Sequence, residues 1–230
     1  MTAARFAFLL IALGLAFGLL FLSAPLTIAH LHLVTARADL AKLRHGKLPS
    51  KQAHRRLIRA QEQAIAWGGS GQLLVDHAYT RILGWARGST ALSAGSDEAK
   101  RIEGLLTTGL ARSPVNADGW RWLAVVRLDT KADRPGALAA TRMSLFTGPL
   151  VRYLVIPRLR LCLELWDIFP EGERESVYRQ IRYAWRNVSR NAVIDLAARA
   201  RTVLPFQVAL SRRPRDLLDF QRALKRRKAR

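Results

Sequence analysis

Chemistry in this chain has few residues to draw on: five histidines, one cysteine and some clustered carboxylates among 230 residues. A hydrolytic metal site needs ligands at set spacings, as in His-Glu-x-x-His. His30, His32, His45, His54 and His77 make no such pattern. His30 and His32 close an apolar run, where imidazole suits an interface, and His77 lies among apolar residues as a packing histidine. Cys162, between Leu161 and Leu163, reads as a small buried hydrophobe. With no second thiol it forms no internal disulfide and no thiolate zinc site. Glu164 and Asp167 stand nearly one helical turn apart, and Glu171, Glu173 and Glu175 cluster after a Pro-Glu-Gly turn. Paired carboxylates serve glycosidases, but this spacing fits a solvated helix edge followed by an acidic first turn. Gly68-Gly69-Ser70-Gly71 lacks the Gly-Lys-Ser/Thr ending of a phosphate loop, and Gln72 spoils a Gly-x-Ser-x-Gly elbow. It reads as a turn between helices. The residues assign no catalytic, cofactor or metal site, and the expected protein is not an enzyme.

The elements say more. Residues 6–29 carry no charged side chain, and 6–22 are all apolar or glycine. About 20 such residues cross a bilayer as a helix, because lipid leaves no other partner for the backbone. The expectation is one uncleaved span. The alternative is a leader cut after Ala29, where Thr27 and Ala29 supply small residues. Counting Arg5 against Arg37, Lys42, Arg44 and Lys47 puts the rest of the chain in the cytoplasm. A start of five residues instead suits an N-in signal anchor, which puts the domain outside. The extracytoplasmic side is the favoured expectation.

Beyond residue 35 no stretch alternates with period two, and apolar residues recur at helical spacing. Ala53, Leu57, Ala60 and Ala64 share a face behind a Ser50 cap, as do Val75, Ala78, Ile82 and Trp85. Gly88-Ser89-Thr90 and Gly95-Ser96 mark a looser connection, with Ser96 as the next cap. Ile102, Leu105, Leu106 and Leu110 form a stripe that Ser113-Pro114 ends. Trp120, Leu123, Ala124 and Leu128 follow, then a turn over 131–136, then Ala137, Ala140, Ser144 and Leu145 up to Gly148-Pro149. Trp120 and Ala140 are expected to be buried where these two helices meet. Leu159, Cys162, Leu163 and Trp166 make another face, with Pro157 opening it or kinking a longer helix. Val177, Ile181, Ala184, Trp185 and Val188, then Val193, Leu196, Ala197, Ala200 and Val203, complete the series. The fold class is all-α, with short turns that make neighbours antiparallel. The expected organisation is a transmembrane anchor over 1–34, a helical stem over 35–95, a helical-repeat domain over 96–210 and a basic tail over 211–230.

Pro114 and Pro149 lie 35 residues apart. A tetratricopeptide repeat has 34, with an early aromatic in its first helix, small residues in its second and a closing proline. Trp120, Leu123-Ala124, Ala137, Ser144 and Pro149 meet that pattern with one extra residue in the turn. Arg127 and Thr141 depart from it, at the usual tyrosine and the second-helix aromatic. The segments 110–120, 144–149, 158–166 and 180–185 resemble the small membrane-anchored, tetratricopeptide-like proteins of bacterial exopolysaccharide loci. The resemblance covers about residues 100–200 and the anchor. It implies a bacterial inner-membrane protein with a degenerate antiparallel α-hairpin stack. Its implied role is a scaffold or accessory part in exopolysaccharide synthesis or export, with protein partners of that assembly. Trp122 and Arg127 are the candidate partner-binding residues on its concave face.

Charge supplies the alternative. Lys and Arg total 38 against 17 Asp and Glu, for a net +21. A GC-rich genome produces such a balance, and so does an anionic partner. Residues 211–230 hold nine of the cations and two Asp, interleaved with Leu217, Leu218, Phe220, Ala223 and Leu224. That is a basic amphipathic helix. Arg212, Arg213, Arg215, Lys225, Arg226, Arg227 and Lys228 are its candidate contacts to an anionic surface, acidic lipid first. Nucleic acid is the weaker partner, because Phe220 is the tail's one aromatic and makes no stacking platform.

Overall fold

The computed structural model describes residues 3–34, 36–44, 49–86 and 96–229, and no strand occurs among them. His45, Lys47, the connection over 88–90, Gly95 and the side chain of Trp85 lie outside the described residues. The chain divides into two compact units, Met1–Ala91 with Ala111–Ser113, and Leu92–Leu110 with Pro114–Arg230.

The first unit contains α1 (Ala3–Val34), α2 (Arg37–Arg44), α3 (Lys51–Ala66) and α4 (Gly71–Ala86). Ser50 caps α3 by accepting from the Ala53 amide at 3.2 Å, and Ser70 caps α4 through the Leu73 amide at 3.2 Å. Between them the chain reverses at Gly68, whose φ of +104° a side chain would resist. Among the described residues the core includes two small clusters. Ala29 of α1 packs with Ala64 and Leu73, and Ala36 packs with Leu57 and Ala60. The face of α3 expected from its spacing is the one that is buried.

The second unit contains α5 (Asp97–Arg112, up to Leu110), α6 (Ala117–Lys131), α7 (Arg134–Thr147), α8 (Arg152–Glu164), α9 (Arg174–Tyr183), α10 (Arg190–Arg199), α11 (Leu204–Ser211) and α12 (Pro214–Lys228). Ser96 caps α5, and Asn116 caps α6 through the Gly119 amide at 2.8 Å. The turn expected over 131–136 is only two residues. Ala132 closes α6 in the left-handed conformation, φ 49°, and Asp133 starts α7 by accepting from the Gly136 amide at 2.9 Å. A left-handed residue satisfies the last carbonyls in one step, so no longer loop is needed. Pro157 sits inside α8, which begins ahead of it at Arg152.

One continuous core joins α7 to α12 and includes Val155, Leu159, Cys162, Phe169, Ile181, Trp185, Val193, Phe206 and Phe220. Two departures from the expected series shape it. The helix through Trp185 loosens into a π turn over Ala184–Val188, closed by the Ser189 amide donating to the Ala184 carbonyl at 3.0 Å. The stretch around Val203 is not the end of α10. Pro205 sits in the first turn of the separate helix α11.

Candidate functional site

The first candidate is α1. Its 32 residues measure about 48 Å at 1.5 Å per residue. From Ile11 to Leu22 its large apolar side chains are exposed, Phe17 and Phe21 by 74% each. It is the one helix among the described residues that is long and apolar enough to cross a membrane. Its few polar side chains turn inward. The Ser23 hydroxyl donates to the Leu20 carbonyl at 3.2 Å, the Thr27 hydroxyl donates to the Ser23 carbonyl at 3.0 Å, and a His30 ring nitrogen lies 3.0 Å from the Leu26 carbonyl. Such bonds leave those hydroxyls no need of water. The last turn is different. Ala29 is 4% exposed against α3 and α4, so the foot of this helix belongs to the core of its unit.

His77, on α4, is a packing residue. Arg81 Nε donates to His77 Nε2 at 3.0 Å, which makes that nitrogen the acceptor of a neutral ring. Nδ1 is then the donor, to Gln61 Oε1 at 3.0 Å. Arg81 also pairs with Glu62 at 2.6 Å. The chain of bonds ties α3 to α4. No group of three or more His, Cys, Asp or Glu among the described residues could hold a metal.

The second candidate is the α6–α7 hairpin. Leu123, Ala124, Ala137, Ala140 and Ser144 are all buried, and four of these are small enough to let the helices approach closely. Trp120 is half-buried rather than buried. Its indole N–H reaches back to the Pro114 carbonyl at 2.7 Å, which turns the ring toward the preceding turn. Trp122 is half-buried beneath Arg121, whose guanidinium lies 3.7 Å from the ring centre. Asp118 Oδ1 holds that guanidinium at 2.7 Å. Arg127 donates to Glu103 Oε1 of α5 and to the Gly136 carbonyl, each at 3.3 Å, so it ties three segments of its own unit together. Trp122 and Arg127 share the helix but have different neighbours.

Beside the hairpin lies a polar knot that the sequence did not announce. Arg158 of α8 is fully buried. It donates from Nε to Ser144 Oγ at 3.2 Å and from Nη1 to the Gly148 carbonyl at 3.0 Å. Ser144 in turn donates to the Ala117 carbonyl at 2.7 Å. Gln180 Nε2 donates to the Pro149 carbonyl. Together they satisfy the Gly148 and Pro149 carbonyls, just beyond the end of α7, and the Ala117 carbonyl at the start of α6. Gly148 is required there, because a Cβ would come within 2.7 Å of the Ala117 methyl. Desolvation pulls Arg158 below the ordinary arginine pKa. Burial pushes the neighbouring Cys162 thiol up to about 12, against a smaller opposing pull from Arg158. A thiol so protonated and so enclosed is chemically inert.

Three of the five clustered carboxylates are engaged with arginines. Asp167 pairs with Arg134, Glu173 with Arg142, and Glu175 with Arg182 at 2.6 Å and Arg212 at 3.5 Å. Hydrogen bonding from Arg182 holds the Glu175 carboxyl below its usual pKa. Glu164 is exposed, and its charge helps to raise the pKa of Asp129, after the larger effect of desolvation there.

The tail is the third candidate. It is amphipathic as expected, but its apolar face is occupied. Phe220 is fully buried, stacks on Phe206 at 5.7 Å and meets Trp185 edge-on at 6.0 Å. Leu217, Ala223 and Leu224 pack on the same core. Arg212 pairs with Glu175, and Arg227 with Asp195 at 2.6 Å. Arg213, Arg215, Lys225, Arg226 and Lys228 are exposed.

No protein-family model matches this chain, and no curated protein or solved structure is found similar to it.

Proposed function

We propose that this chain is a single-pass membrane protein that works as a non-enzymatic helical scaffold in a bacterial exopolysaccharide assembly. The observation that carries the scaffold reading is the pairing, in one chain, of an unburied apolar helix with a hairpin packed through Ala137, Ala140 and Ser144. In this reading α6 and α7 are a tetratricopeptide-like pair, and Trp122 and Arg127 face a protein partner. Hairpin stacks of this kind present extended surfaces rather than pockets. The polysaccharide role rests on the sequence resemblance alone. The burial of Ala29 supports a retained anchor over a cleaved leader, since cleavage there would strip α1 from the core it helps to build. The inner membrane is the proposed location, with the domain on the extracytoplasmic side.

Deleting the gene in its bacterial host should abolish or sharply lower the secreted polymer. The full-length chain should restore it, and a chain starting at Ala36 should not. Unchanged polymer in the deletion strain would remove the exopolysaccharide role. Protease added to spheroplasts should cut the domain, whereas protection would place it in the cytoplasm.

A second reading is a membrane-tethered module for an anionic surface. The exposed tail cations Arg213, Arg215, Lys225, Arg226 and Lys228 support it. With the apolar face of α12 engaged in the core, such contact would be electrostatic and lost at high salt.

A further inference from the structure

Two open clefts flank α10. One of about 560 Å³ runs between α10 and α8, and one of about 460 Å³ lies between α10 and α12. Asp195 lines both, so they form one face. In the larger cleft α8 contributes Ile156, Arg160 and Leu163, at positions i, i+4 and i+7. From α10 come Ala192, Leu196 and Arg199 at the same spacing. Each set is one stripe of its helix. The cleft is therefore a groove about two turns long, with an aliphatic floor between two helices.

Its rim is cationic. Arg160, Arg199 and Arg201 are exposed and enter no ion pair among the described residues. Of the two carboxylates on the face, Asp195 is neutralised by Arg227 at 2.6 Å, which leaves Glu164 against four arginines once Arg226 is counted. The occupant must then combine apolar and anionic groups. A second copy of this chain has the wrong sign, at net +21. No aromatic ring lines either cleft, so unpaired bases find no platform. An acidic polymer without an apolar body would leave the floor uncovered.

We propose that the α8–α10 groove docks an acidic amphipathic helix of a partner protein. The helix would set apolar side chains at i, i+3 or i+4 and i+7 on the floor, with Asp or Glu beside them facing Arg160, Arg199 and Arg201. Charge complementarity sets the sign of the partner, and the paired stripes set its helical form. The proposal rests on the scaffold reading only in taking the occupant to be a protein. It adds a docking surface on α8 and α10 to the one proposed on the α6–α7 hairpin.

The test uses the full chain in nanodiscs of neutral lipid. The probe is a labelled synthetic helix with a leucine stripe flanked by glutamates, compared with a peptide of the same composition in scrambled order. The striped peptide should bind at least about tenfold more tightly, because only it can cover the floor while meeting the rim. The double substitution Arg160→Glu/Arg199→Glu should cost about tenfold or more through charge reversal, and Ala200→Trp should block the groove without removing a core side chain. Hydrogen exchange on the unaltered protein should show protection of α8 and α10 when peptide is bound. Equal binding of striped and scrambled peptides would overturn the proposal, as would protection elsewhere. Binding of acidic-lipid vesicles that the same substitutions abolish, with no preference for the striped peptide, would assign the face to a membrane surface instead. The peptide result is independent of the polymer result, so failure of one does not count against the other.

Discussion

α1 and α12 are both surface-seeking helices by sequence, and the chain treats them in opposite ways. α1 is apolar around its whole circumference, and a helix buried on one side only cannot use such a surface. From Ile11 to Leu22 its large apolar side chains are exposed among the described residues. α12 concentrates its apolar residues on one stripe, and that stripe is consumed by Phe206, Trp185 and the core around them. A helix apolar all round is covered only by surrounding protein or by a membrane, whereas a striped helix competes for a core and, here, wins a place in it. The contrast leaves α1, and not α12, as the helix whose apolar surface is open to a membrane. It also turns the tail from a lipid-inserting segment into a structural one with a charged outer face.

The largest effect should come from α1. The full-length chain should sediment with membranes and resist salt and alkaline carbonate, and a chain starting at Ala36 should not sediment. The attachment buries about 20 apolar residues, which salt does not weaken. Release of the full-length chain by carbonate would break the comparison at its first term.

Next is the core role of α12. Phe220→Ala should cost about 3–5 kcal/mol in unfolding free energy, the usual cost of removing a buried aromatic. Leu218→Ser, on the same helix but half exposed, should change it by less than about 0.5 kcal/mol. Chemical denaturation of the two variants checks this, and similar midpoints would mean α12 is only laid on the surface. Cys162 gives an independent readout. Its thiol, pushed up to about 12 by burial, should resist alkylation in the folded chain and react once unfolding exposes it. Phe220→Ala should therefore speed labelling of Cys162, while Leu218→Ser should not.

The hairpin should give an intermediate effect. Ala140 is 1% exposed, so Ala140→Leu should overpack the α6–α7 contact and cost about 1–3 kcal/mol. An unchanged melting curve would mean that the helices have room to separate.

The smallest effect concerns Glu175, which Arg182 and Arg212 hold in charged form. Its folded pKa is depressed below the unfolded one. Its contribution is therefore present above the unfolded value and lost as pH falls through the folded value. Glu175→Gln should flatten the acid limb of the stability curve while leaving neutral pH nearly untouched, since the pair is half exposed and screened. Arg212 is the second partner of Glu175, so Arg212→Gln should remove part of the same acid dependence while leaving the α12 core contacts in place.

The sequence by itself determined the helical class, the caps at Ser50 and Ser96, and the single long apolar run. These depend on local spacing and on side chains that reach only three or four residues. It also placed the buried stripes of α3, α5 and α9 correctly, because an amphipathic period is a property of one helix. Tertiary structure alone decided the rest. Arg158 looks like any surface arginine in a basic chain, and only the close approach of α6, α7 and α8 encloses it with Ser144 and the Gly148 carbonyl. Arg127 sits where a repeat would present a tyrosine, and it is the position of Glu103 one helix earlier that engages it. The π turn at Ala184–Val188 lies where Ala184 and Trp185 enter the core, which no window of local spacing contains, whereas the separate start of α11 had a local signal in Pro205 that the apolar spacing around Val203 overrode. The fate of α12 was decided the same way: its pattern specifies an apolar face, but which surface covers that face depends on residues up to 35 positions away, as Trp185 and Phe220 show.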